Sequence, residues 1–108
     1  MPRITTYSIA PEIVKKASRA IADDIASLLS IPRQYVTLQV NTDRFVSDGH
    51  DVTGDPFVEI CLFDRGQEAE DQIARLVTRH LKEAGSPAPD VYLTHLERRR
   101  YFEDGSHF

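Results

Sequence analysis

The order strand–helix–strand occurs twice in this chain, and that repetition limits the fold more than any other feature. Pro32 with Tyr35-Val36 in the first half corresponds to Pro87 with Asp90-Val91 in the second, an offset of 55 residues. Apolar Ile13, Val14, Ala17, Ile21, Ile25, Leu28 and Leu29 fall three, four or seven apart, which predicts a helix over Pro11–Ser30. Pro11 suits the first turn, where its missing N–H costs nothing. A second helix is predicted from Gln67 to Ala84, with Ala69, Ile73, Leu76, Val77, His80, Leu81 and Ala84 on its inner side. Gly85 supplies a left-handed stop, and Pro87 prevents continuation.

Strands are predicted at Arg3–Ser8, Tyr35–Asn41, Phe57–Phe63 and Val91–Glu97, where apolar and polar residues alternate. Each half has the length of a right-handed βαβ unit with parallel strands. The expected fold is therefore α/β (α+β): two βαβ units forming a four-stranded mixed sheet, with both helices on one face. Residues 1–108 are expected to make one domain. The segment between the halves, Thr42–Pro56, is rich in turn residues, including Asp48-Gly49, and should hold a hairpin or a loop.

The sheet face away from the helices would carry Thr37, Gln39, Glu59, Cys61, Phe63, Tyr92 and Thr94. That mixture is too apolar for a freely solvated surface and too polar for a dry core. A homo-oligomer answers both problems, as a trimer of sheets about an axis or a face-to-face dimer.

Charge and composition remove several classes. The formal net charge is −4, against the clustered cationic excess that nucleic-acid binding needs. One cysteine, Cys61, forms no internal disulfide, which suits a reducing compartment. No apolar run approaches a membrane span, and the opening residues lack the apolar stretch of a signal peptide. A cytoplasmic protein is expected, without membrane or nucleic-acid partners.

Pro2 is the sharpest chemical feature. An initiator methionine before proline is normally removed, which would leave a secondary amine at the head of the first strand. An ordinary α-amino group titrates at about 7.7–8.0, and burial or nearby cations lower it. A neutral proline nitrogen could then act as a general base near neutral pH.

Pro2 opening a first strand, the two βαβ halves, Pro32-Arg33-Gln34-Tyr35-Val36 and Asp90-Val91-Tyr92-Leu93 together resemble the tautomerase (macrophage migration inhibitory factor) superfamily. The ending Tyr101-Phe102-Glu103-Asp104-Gly105-Ser106-His107-Phe108 resembles an uncharacterised bacterial branch of it. The resemblance implies that Pro2 moves a proton between carbon and oxygen of a keto–enol pair, within a trimer. It also implies that Tyr92 closes the pocket of a neighbouring subunit. Arg33 and Arg65 become candidates for binding a carboxylate or a developing enolate, small acids being the implied substrates. Two positions depart from the migration-inhibitory branch: Ile31 replaces a lysine and Thr94 an asparagine.

The remaining candidates read as structural. His50, His80, His95 and His107 lack metal-ligand spacing, so no metal is expected, and the isomerase reading requires no cofactor. His80 falls on an apolar helix face, as a hydrogen-bonded core histidine would. Asp43, Asp48, Asp51 and Asp55 lack the calcium-loop order. Cys61 is expected to pack rather than react. Arg98, Arg99 and Arg100 are expected to be solvated or to pair with Glu103 and Asp104 across subunits. The competing function is a non-catalytic ligand-binding or interaction module, on this fold or on a ferredoxin-like one.

Overall fold

The first strand is the hinge of the architecture. The structure, a computed structural model, describes residues 1–108. In it β1 (Arg3–Tyr7) pairs in parallel with β2 (Thr37–Asn41) and antiparallel with β5 (Phe57–Phe63), which pairs in parallel with β6 (Asp90–Leu96). The sheet order is β2-β1-β5-β6. Strands joined by a helix lie side by side, so each half is a true βαβ unit. A ferredoxin-like sheet instead splits that unit, which rules out that version of the alternative fold.

Alternation sorts the side chains. Ile4, Thr6, Val58, Ile60 and Leu62 turn toward the helices and are buried. They meet Val14, Ala17, Ile21 and Ile25 of α1 (Pro11–Leu29) and Ile73, Val77 and Leu81 of α2 (Gln67–Glu83). Each large aliphatic side chain buried this way stabilises the fold by about 1.5–3 kcal/mol. His80 lies beside this core with its side chain only 14% exposed, and its Nε2 is 2.5 Å from Asp24 Oδ2. It is the hydrogen-bonded core histidine that the helix pattern anticipates.

Both helices stop through the same backbone device. At the end of α2, the Ser86 N–H donates to the Leu81 carbonyl and the Gly85 N–H to that of Lys82, with Gly85 at φ +116°. At the end of α1 the matching bonds run from Ile31 to Ala26 and from Ser30 to Ser27. Here a serine accepts the left-handed conformation, at φ 53°.

Two hairpins project from the sheet. β3 (Phe45–Ser47) and β4 (His50–Val52) join through Asp48-Gly49, resolving the central segment as a hairpin. β7 (Phe102–Glu103) and β8 (Ser106–His107) join through Asp104-Gly105. All four turn residues have positive φ, the signature of a type I′ turn. The second strand also starts later than its alternation implied. Arg33–Tyr35 close a 3₁₀ turn, and the Val36 N–H bonds the Arg33 carbonyl, so regular pairing begins only at Thr37.

Candidate functional site

Pairing geometry places the head of the chain in a crowded setting. Arg3 stands opposite Thr37 on one side and Cys61 on the other, so two residues upstream the same register brings Met1 toward Tyr35 and Phe63. Pro2 is fully buried, and its carbonyl accepts the Thr37 N–H at 3.2 Å. Beside it opens a cavity of about 500 Å³, walled by Met1, Ile31, Gln34, Tyr35, Thr37 and Phe63, together with Arg65, Arg98, Tyr101, Glu103 and Phe108. The Met1 amine titrates below its usual 8.0, first because burial disfavours the ammonium and second because Arg3 repels it.

The far wall comes from the second hairpin. The turn at Asp104-Gly105 reverses the chain, and the Phe108 N–H donates to the Tyr101 carbonyl at 3.1 Å. Phe108 then stacks on Phe63, with centroids 5.6 Å apart and planes 4° apart, while Tyr101 meets both rings edge-on. The Arg98 guanidinium carbon lies 5.0 Å from the Phe63 centroid and 5.5 Å from that of Phe108. The resemblance names this closing stretch without its geometry, and the sequence alone reads Arg98 as solvated. The Asp104-Gly105 dipeptide was the available signal, being the same hairpin cue as Asp48-Gly49.

The other candidates are distributed unequally. Arg65 lines the cavity, and its Nη1 donates to the Leu29 carbonyl at 3.2 Å, placing a cation at the negative end of α1. Arg33 is not in the wall. Its neighbours Ile31, Gln34 and Tyr35 are, but the 3₁₀ turn directs Arg33 to Asp23 of α1, with Nε 2.5 Å from Oδ1. Tyr92 stands on the open sheet face opposite Glu59 and is 60% exposed. It lies four positions before Leu96, the partner of Phe63, a distance of about 13 Å along the strand. Within one chain it therefore does not reach the cavity. Cys61 is half-buried on that same open face. Farther along the face, the Tyr7 hydroxyl donates to Glu59 at 3.3 Å, and burial and then the Glu59 charge push its ionisation up.

Asp64, Glu70 and His95, from three separate segments, bring one donor atom each within 4.8 Å of one another. This is a donor set that could hold a divalent cation, and sequence spacing gave no hint of it. Its evident bond is internal: His95 Nε2 joins the Glu70 carboxylate, whose side chain is 13% exposed, with Asp64 3.9 Å away. The hydrogen bond to Glu70 raises the His95 pKa above its ordinary 6.5, against an opposing effect of desolvation.

Comparison with known structures places the architecture in the tautomerase class. A fused 4-OT asymmetric trimer superposes with a TM-score of 0.80 over 97% of this chain and 94% of that one, at 10% identity. A macrophage migration inhibitory factor-like protein from Entamoeba histolytica gives 0.67 over 99% and 96%, at 18% identity. At such identities the likeness is one of fold. The chain itself belongs to the DUF1904 family, a domain of unknown function, whose model matches residues 1–107. A DUF1904 domain from Sebaldella termitidis is 30% identical over the whole of both chains, with a TM-score of 0.88. No curated protein matches the chain.

Proposed function

We propose that this protein is a tautomerase-like isomerase of the cytoplasm that shifts a proton within a small keto–enol or unsaturated carboxylic acid. The observation that carries the reading is the immobilised Pro2 beside a cavity that Met1 itself lines. Excision of Met1 would leave the Pro2 nitrogen as an amine at the cavity wall. The setting already lowers the affinity of the Met1 amine for its proton. A neutral Pro2 nitrogen takes a proton from the carbon next to the substrate carbonyl; the C–H electron pair forms the new carbon–carbon double bond and the carbonyl π pair moves to the oxygen. The ring nitrogen then returns its proton to that oxygen, completing the exchange. Arg65, in the cavity wall, stabilises the transient enolate charge. Tyr92 would enter from a second copy in a homotrimer, because it is exposed and remote from the cavity of its own chain. Arg33 has less claim to a substrate role while its guanidinium serves Asp23.

The test is turnover. Enol ketonisation of phenylpyruvate should be lost in Pro2→Ala and in protein that retains Met1, with assembly unchanged. A general base contributes about 10²–10⁴-fold. Equal rates above background in all three proteins would remove Pro2 from the mechanism, and rates no faster than buffer alone would favour the non-catalytic ligand-binding module.

A further inference from the structure

We propose that Arg98 is the anion-binding residue of this cavity and that Phe63 and Phe108 are its positioning residues, the ligand being the carboxylate of a small planar acid. The proposal deepens the isomerase reading by naming the group that grips substrate, but the binding it describes does not require turnover.

Three consecutive arginines sit in the 3₁₀ turn Arg98–Arg100. With three residues per turn, their side chains leave in three directions about 120° apart. Arg99 and Arg100 both give their Nε to one carboxylate oxygen of Glu97, at 3.0 and 3.1 Å. Arg98 instead enters the cavity wall, makes no ion pair and donates no hydrogen bond within the chain. Its five N–H donors form the planar fork that matches a carboxylate through two parallel bonds.

The rings explain why this cation is more than a solvated side chain. An unrestrained arginine loses rotamer freedom when it binds. Here two stacked aromatic faces restrict Arg98 beforehand, and attraction of a cation to a ring leaves the N–H groups available. The cavity's charged side chains are Arg65, Arg98 and Glu103, so its balance favours one anion. Flat Phe63, Tyr101 and Phe108 supply apolar surface for the body of the same molecule.

Benzoate and benzamide provide the probe pair, nearly equal in shape and unable to tautomerise on the enzyme. Titration calorimetry should give wild-type protein a preference for benzoate of about tenfold or more, as expected for a hydrogen bond to a charged group. Arg98→Gln should abolish that preference by weakening benzoate and leaving benzamide unchanged. Arg98→Lys should recover only part, since it restores charge without the fork. Phe108→Leu should weaken benzoate several-fold, about the worth of one cation–π contact, and Phe108→Tyr should restore it. The Pro2→Ala protein should keep the preference whether or not it turns over substrate, which separates failure of the anchor from failure of the base. Wild-type protein without a preference, or a preference equal in Arg98→Gln, overturns the proposal.

Discussion

Gly85 illustrates how much one backbone angle decides. A Cβ added there would meet only the Ile13 side chain, at an ordinary 3.8 and 3.9 Å, so space is no obstacle. The obstacle is φ +116°, which an L side chain rarely adopts. Gly85→Ala should therefore destabilise the protein by about 1–2 kcal/mol with its fold intact, measurable by urea unfolding. This residue was legible in the sequence, since glycine after an apolar helical stripe and before proline has few other meanings. Arg33 and Arg98 were not. The resemblance made Arg33 a pocket candidate and the residues alone read Arg98 as solvated; within the chain Arg98 lines the cavity and Arg33 does not. A short 3₁₀ turn directs Arg33 to Asp23, whereas the Asp104-Gly105 reversal brings Phe108 to the ring that Arg98 overlies.

Among elements, the helices and the four main strands could be read because each carries a period that only one conformation satisfies. The link between α2 and the edge strand β6 has no such trace. Glu70 lies in the first helical turn and His95 near the end of the strand, 25 residues later, so only the folded chain joins them. His95 faces Glu70 and Asp64, and its folded pKa is raised above 6.5 chiefly by the bond to Glu70. The sign follows from proton linkage: the folded state holds this proton more tightly than the unfolded chain. The stabilisation is complete below the unfolded value and disappears as pH climbs through the folded one. Unfolding free energy measured between about pH 6 and pH 9 should include a fall from this pair, and Glu70→Gln should flatten that component. An identical profile in the variant would deny the pair its role.

At the scale of the whole molecule, the decisive feature is a sheet with one face covered and the other open. Sequence alternation identified the open face correctly, down to Thr37, Gln39, Glu59, Tyr92 and Thr94, because a strand permits no other distribution of side chains. Composition could not say what would cover it. On the trimer reading, sedimentation should report three times the 12.2 kDa chain mass. Thr94→Lys, placing a charge in mid-face, should lower that mass while leaving the helical circular dichroism unchanged. Monomeric wild-type protein would end the trimer reading and require Tyr92 to serve another purpose.

Met1 and Phe108 stand at opposite extremes of the sequence yet both line one cavity. A purification handle fused to either would begin at that cavity and act as a tethered competitor for whatever binds there. The Asp48-Gly49 tip, on the arm that follows the other end of the first βαβ unit, offers a place to graft such a handle while both walls stay unencumbered.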